Sequence, residues 1–172
     1  NFVSFGLEKI LSEVIQEVGP TLPVIAAGGI YTGKDIRDIL KHGAAGVQMS
    51  TRFVTTTECD ADEKFKQTYL DSKEEDIIII KSPVGMPGRA IKNRFLEDVA
   101  TKKAPFKCDY DCLKNCNPVS SPYCIADALI NAQKGNIEKG FAFAGTNAYR
   151  AEKIMSVRDV FESLEKEYSN AS

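Results

Sequence analysis

Residues 23–53 constrain the fold of this chain more than any other part of the sequence. They read PVIAAGGIYTGKDIRDILKHGAAGVQMSTRF, the pattern of a buried strand, a glycine turn, an amphipathic helix, a second strand and a second small-residue turn. Continuous apolar runs of this kind are typical of parallel strands covered on both faces. The segment therefore predicts two parallel strands joined by a right-handed crossover through one helix.

A further helix is predicted before this segment. Apolar residues recur at three- and four-residue steps over residues 7–18, and Gly19-Pro20 ends the pattern. The resulting αβαβ order cannot cover both faces of a sheet by itself. We expect that either another chain, as in a homodimer, or a missing part of this protein completes the sheet.

The remaining chain mixes short helical and extended patterns. In chain order we expect a helix over 60–71 that begins with a capping box at Asp60 and Glu63, a strand over 77–80, an irregular Pro/Gly loop over 82–89, helical turns over 94–100, a helix over 124–133, a short strand over 141–143 and a last helix capped by Ser156.

Composition excludes several classes of partner. The chain has 172 residues, a formal net charge of −2 and no long run of Lys or Arg, so we expect neither nucleic acid nor a membrane surface as a partner. No secretory signal is visible at the start of the sequence, and this favours a cytoplasmic protein with reduced cysteines. We expect a small-molecule substrate as the partner.

Two turns in the central segment are candidates for binding a phosphate group. Gly28-Gly29 follows the first predicted strand and Ser50-Thr51 follows the second. Backbone N–H groups in such turns, together with the N-terminus of a following helix, form anion sites in many α/β proteins. The alternative is that they are ordinary turns of an α/β fold.

Two motifs in this segment carry a family resemblance. At AAGGI (26–30) and GVQMSTRF (46–53) the chain resembles the flavin-dependent nitronate monooxygenases, formerly called 2-nitropropane dioxygenases, which are relatives of the type II enoyl-acyl-carrier-protein reductases. The resemblance continues more loosely through SPVGMPGR (82–89) and reaches Ala144-Gly145. It implies an α/β fold, namely the C-terminal part of a TIM (β/α)8 barrel with an α-rich, cysteine-containing extension.

The same resemblance implies FMN as the cofactor and a division of the chain. Residues 1–58 would be the last βα units of the barrel, and residues 59–172 would be the post-barrel helices, the Pro/Gly loop and the cysteine-bearing segment. Barrels of this kind commonly hold phosphate in the loops after their last two strands. The implied FMN-binding residues are Ala27, Gly28, Gly29, Gln48, Ser50 and Thr51.

The chain departs from the family pattern in two respects. Ser50 stands where the family usually has glycine. A complete barrel usually needs about 250 residues, so this chain is too short to form one. The family's catalytic histidine lies on the N-terminal side of the matching region, and no catalytic residue is therefore assigned here.

The single histidine, His42, lies at the end of a predicted helix in Lys41-His42-Gly43. A cationic side chain is favourable there because the helix dipole is negative at its C-terminus. We therefore interpret His42 as a residue of the helix end, away from the expected site at the carboxyl ends of the strands.

Four cysteines in the C-terminal region are candidate metal ligands. Cys108, Cys112 and Cys116 are spaced four residues apart, and Cys124 follows them. Four thiolates can hold zinc or an iron–sulfur cluster. The alternative is a set of reduced, partly buried thiols, since the spacing lacks the close pairs typical of structural zinc sites.

These features support two kinds of function. The first is an FMN-dependent oxidoreductase of the nitronate monooxygenase type, which oxidises nitroalkanes or nitronates with oxygen, or a related flavin-dependent enoyl-acyl-carrier-protein reductase. The second is a non-catalytic half-barrel or a cysteine-based metal-binding module. Flavin absorbance of the purified protein separates these two kinds of function.

Overall fold

The computed structural model describes residues 6–101, 108–110, 112–114, 116–117 and 119–171. Its described residues form two compact units. The first extends up to Glu58 and resumes at Met155, and the second runs from Cys59 to Ile154. The sequence grouped the last helix with residues 59–172, whereas in the structure this helix belongs to the first unit.

The first unit has a parallel pair of strands with helices around it. Its elements are α1 (Leu7–Val18), β1 (Ile25–Ala27), α2 (Gly33–Lys41), β2 (Gly46–Gln48), α3 (Thr51–Val54) and α7 (Val157–Asn170). The predicted parallel pairing is confirmed, with Ile25 opposite Gly46 and Ala27 opposite Gln48. A core of Leu11, Ala26, Ile30, Ile39 and Ala44 lies between the strands and the helices.

Side-chain caps fix where two helices of this unit begin. The Thr32 hydroxyl accepts a hydrogen bond from the Asp35 N–H, and the Asp35 carboxylate accepts one from the Thr32 N–H, which closes a capping box at the start of α2. Ser156 and Asp159 form the same arrangement at the start of α7. The start of α7 at Ser156 was predicted from the sequence, because this capping pattern is local.

Helix α7 packs closely against the first turn of α2. A Cβ atom placed on Gly33 would lie 2.1 Å from the Leu164 carbonyl oxygen and 2.4 Å from the Tyr168 nitrogen. The absence of a side chain at Gly33 therefore permits the approach of the two helices. Arg37 on α2 contacts the C-terminal end of α7, since its guanidinium donates to the carbonyl oxygens of Tyr168 and Ala171.

The second unit is built on an antiparallel hairpin. Its elements are α4 (Glu63–Leu70), β3 (Ile77–Lys81), β4 (Pro87–Ile91), α5 (Arg94–Thr101) and α6 (Ile125–Gln133). The core includes three aromatic rings, in which Tyr123 meets Phe141 and Phe95 edge-on at 5.7 and 5.4 Å between centroids. Edge-to-face contacts of this kind add to the stabilisation from burial.

Three local predictions in the second unit were wrong. The last three residues of the expected loop over 82–89 belong to strand β4, because proline lacks an N–H but can still occupy the first position of a strand. Helix α4 is capped by Asp62, whose carboxylate accepts from the Lys64 N–H, and Asp60 is not its cap. The segment around Phe143 makes only an isolated bridge to Ala90.

In the part of the chain that the structure describes, no helix combines the length and the hydrophobicity required to cross a lipid bilayer.

The contact at Gly33 leads to a test of the packing between α2 and α7. Where a helix position has space for a methyl group, replacing glycine by alanine stabilises the folded protein by up to about 1 kcal/mol. We expect Gly33→Ala to destabilise instead, by about 2 kcal/mol, because the added methyl group overpacks the interface. Urea unfolding followed by circular dichroism measures the change. Lys41→Ala, at an exposed position of the same helix, is the control, and stabilisation by Gly33→Ala would contradict the close packing.

Burial of tyrosines makes the stability of the second unit sensitive to alkaline pH. Burial raises the pKa of Tyr69 and raises that of Tyr123 to about 12. The unfolded chain ionises near the ordinary value of 10.0. Above that value the unfolded state holds fewer protons than the folded state, so stability falls as pH rises.

The contribution of Tyr123 to this pH dependence can be measured separately. We expect the free energy of unfolding to fall by up to about 1.4 kcal/mol per pH unit for each buried tyrosine between about pH 10 and 12. Tyr123→Phe removes a buried hydroxyl that has no hydrogen-bond partner in the described part of the chain, so it should flatten the slope at little cost near neutral pH. Tyr110→Phe, at a 45% exposed side chain, is the control. An unchanged slope in Tyr123→Phe would contradict the assignment.

Candidate functional site

The two candidate phosphate-binding turns begin at neighbouring strand ends. Strand β1 ends at Ala27 and strand β2 ends at Gln48, and these two residues are paired in the sheet. Because the strands are parallel, Gly28-Gly29 and Ser50 leave the sheet at the same edge. Thr51 is half-buried at the start of α3, and the other five predicted FMN-binding residues are exposed.

The glycine turn has a backbone conformation that other residues rarely adopt. Gly28 has φ +97° and Gly29 has φ +72°, and apart from their chain neighbours no atom of the described residues lies within 4 Å of a Cβ built on either residue. The requirement for glycine is thus conformational, and the space beside the turn is open. A phosphate group can approach the backbone here without meeting a side chain.

Ser50 is compatible with its place after β2. Its φ of −122° and ψ of −59° lie outside the left-handed region, so the glycine that is usual in the family is not required by the backbone here. Its hydroxyl makes no capping hydrogen bond to α3. The substitution therefore adds an exposed hydroxyl group beside the turn.

The N-terminus of α2 differs from the expected anion site. The Asp35 carboxylate accepts from the N–H groups of Tyr31 and Thr32 at 3.0 and 2.8 Å, and the Glu167 carboxylate accepts from the Gly33 N–H at 2.7 Å. Two carboxylates thus already interact with the positive end of this helix. An anion near the strand ends would depend on the glycine turn and on Ser50 instead.

Sequence reasoning missed a cluster of three side chains beside these turns. The Arg52 guanidinium lies over the Tyr31 ring, 4.6 Å from its centroid, and Arg52 Nη2 lies 3.9 Å from Glu167 Oε1. Tyr31 is 3% exposed and the Arg52 side chain is 14% exposed. In the sequence, only the position of Arg52 directly after Ser50-Thr51 pointed to this cluster, because Glu167 lies far away along the chain.

His42 lies at the opposite end of α2 from the glycine turn. Its Nδ1 donates to the Asp38 carbonyl oxygen at 2.7 Å, and its Nε2 lies 3.9 Å from Glu8 Oε2. The first contact is that of a residue that completes the C-terminal end of a helix, and the second joins this end of α2 to α1. This position agrees with the interpretation of His42 as a residue of the helix end.

The structure does not bring the four candidate metal-binding cysteines together. Cys108, Cys112, Cys116 and Cys124 are all free thiols, and Cys116 Sγ lies 3.9 Å from the Ser121 hydroxyl. Across the described ranges, no three His, Cys, Asp or Glu residues are arranged to hold a metal ion. The prediction of a zinc or iron–sulfur site gains no support, because spacing alone does not make the thiols converge.

Comparison with known proteins identifies the family. Residues 4–167 match the nitronate monooxygenase family. The chain therefore belongs to this family, whose relation to the enoyl-acyl-carrier-protein reductases is also supported by its structural neighbours.

The chain aligns with only part of the length of a curated relative. It is 37% identical over 95 residues to a probable nitronate monooxygenase of Staphylococcus aureus strain Newman, which covers 55% of the chain and 26% of that protein.

Solved structures agree with the predicted α/β fold. The structure of FabK from Thermotoga maritima matches 97% of the chain with a TM-score of 0.78 and 25% identity, over 50% of its own length. Nitroalkane oxidase from Streptomyces ansochromogenes matches 97% of the chain with a TM-score of 0.72 and 26% identity, over 44% of its length. The chain thus spans half or less of these relatives and has the α/β fold of part of such TIM-barrel enzymes.

The glycine turn gives a prediction that is independent of any ligand. We expect Gly29→Ala to destabilise the protein by about 1 to 2 kcal/mol, because an L-residue is strained at positive φ. Gly29→Asn should cost less, since asparagine tolerates this region better. Urea unfolding compares the two variants. Equal losses would indicate that crowding, and not backbone conformation, requires glycine here.

Proposed function

We infer that this chain supplies the FMN-phosphate end of the active site in an FMN-dependent oxidoreductase of the nitronate monooxygenase type. Membership of the family supports the class of enzyme. The observation that carries the site is the open glycine turn at Gly28-Gly29, directly beside the exposed Ser50 at the neighbouring strand end. In this proposal, residues 1–58 contain the last βα units of a (β/α)8 barrel.

The donors at these strand ends fit a phosphate monoester. Backbone N–H groups at the glycine turn would face the phosphate, and the hydroxyl groups of Ser50 and Thr51 would add further donors. Gln48 would contribute its side-chain amide, and the small Ala27 would leave room beside it. No carboxylate belongs to this predicted set, which suits a dianionic ligand.

The chemical step lies outside this proposed role. FMN, when bound, would supply the redox chemistry by accepting electrons from a nitronate and delivering them to oxygen. The residues named here would bind and orient the phosphate, and the proton transfer would be the task of a base elsewhere in the complete enzyme.

A second candidate activity is favoured by the likeness to FabK, which has a TM-score of 0.78. In a flavin-dependent enoyl-acyl-carrier-protein reductase, a reduced nicotinamide would reduce the flavin and an enoyl thioester would accept the electrons. The same phosphate site would serve both activities, because each uses FMN. The choice between them depends on the electron donor and acceptor.

The phosphate site can be tested with two flavins that differ in one group. We expect protein expressed from its complete coding region to bind FMN at least about 100-fold more tightly than riboflavin. Two charge-assisted hydrogen bonds at about 1.5 kcal/mol each account for this ratio. Quenching of flavin fluorescence measures both dissociation constants. Equal affinities, or a colourless protein that binds neither flavin, would overturn the proposed site.

Anaerobic reduction of the bound flavin separates the two activities. We expect a nitronate to bleach the flavin absorbance and oxygen to restore it, whereas NADH and NADPH should leave it oxidised. Bleaching by a nicotinamide and recovery on addition of an enoyl thioester would instead establish the reductase activity.

A further inference from the structure

We propose that Arg52 is a positioning residue that ties the two turns of the phosphate site together and keeps a positive charge beside them. This inference rests on the proposed function, since it concerns the same site. It assigns a role to an arginine that is not among the predicted FMN-binding residues.

Arg52 joins the two turns through an aromatic contact. Arg52 directly follows Ser50-Thr51, and Tyr31 lies shortly after Gly28-Gly29. The guanidinium lies over the Tyr31 ring, 4.6 Å from the centroid, and both side chains are largely buried. A cation over an aromatic face is attracted by the ring quadrupole, and this attraction strengthens when water is excluded. The contact therefore fixes one turn relative to the other.

Glu167 connects this pair to two helices. Its Oε2 accepts from the Gly33 N–H at 2.7 Å, while its Oε1 accepts from the Ser163 hydroxyl at 2.7 Å and lies 3.9 Å from Arg52 Nη2. One carboxylate on α7 thus contacts the start of α2 and the residue that follows the second turn. Movement of either turn would disturb the same carboxylate.

The charge of Arg52 is incompletely compensated. Its Nε is buried and has no hydrogen-bond partner among the residues that the structure describes, and the 3.9 Å between its Nη2 and Glu167 Oε1 exceeds hydrogen-bond length. Glu167 shares its negative charge with two other donors. Burying a charge without full compensation is unfavourable, so this guanidinium adds little net stability to the fold. Stability therefore does not account for an arginine here, whereas an anionic ligand at the adjacent turns does.

Arg52→Met tests this role. Methionine keeps the bulk of the side chain and removes the charge, so we expect the urea midpoint of the flavin-free protein to stay within the error of the wild-type value. FMN affinity should fall at least about tenfold, while riboflavin affinity changes less than about threefold. The affinity ratio of the two flavins is the readout, because a general loss of structure would weaken both flavins alike.

Two further variants complete the experiment. Arg52→Lys keeps the charge but loses the planar group that stacks on Tyr31, so an intermediate ratio is expected. Arg37→Met is the matched control, because Arg37 belongs to the same unit and makes its described contacts to the end of α7. It should leave the ratio of the two affinities unchanged.

The outcomes separate this inference from the proposed function. If the wild-type protein does not prefer FMN, the proposed phosphate site fails. If the wild-type protein prefers FMN and Arg52→Met keeps the same preference, the site stands and the role of Arg52 is overturned. Equal weakening of both flavins by Arg52→Met would also overturn it, since that result indicates a purely structural residue.

Discussion

The close contact between α2 and α7 at Gly33 is the interaction on which the first unit depends. The Leu164 carbonyl oxygen occupies the space that a side chain at residue 33 would fill, and the Glu167 carboxylate binds the Gly33 N–H. Through this contact the last helix packs in the same unit as the parallel strands, although residues 59–154 separate them in the sequence. It also brings an acidic group to the helix start that follows the glycine turn.

That acidic group changes how the strand ends can bind an anion. Sequence patterns of strand, glycine turn and helix suggest that the helix N-terminus faces the ligand. Here the carboxylates of Asp35 and Glu167 already accept hydrogen bonds from the first N–H group of α2 and from those of the two residues before it. The glycine turn at Gly28-Gly29 and the cation of Arg52 also lie near these strand ends, and the proposed phosphate site uses the first while the second supports it.

Prediction from sequence succeeded where the determinants are local. Helices α1, α2 and α7 and the pairing of β1 with β2 follow from apolar periodicity and from caps such as Thr32 and Ser156. It failed for β4, because Pro87 and its neighbouring glycines indicate a loop, while pairing with β3 supplies hydrogen bonds that the composition does not reveal. The cap at Asp62 was missed because Asp60 offered the more familiar capping-box spacing.

The sequence by itself determined the two small-residue turns, because glycine at positions 28 and 29 permits positive φ and the flanking apolar runs form adjacent parallel strands. Only the tertiary structure decided which charges surround those turns. Arg52 and Glu167 meet because α7 packs on α2, and the candidate metal-binding cysteines stay apart because nothing in their spacing makes them converge. Local conformation is encoded by near neighbours, whereas the electrostatics of a site depends on residues that folding brings together from distant positions.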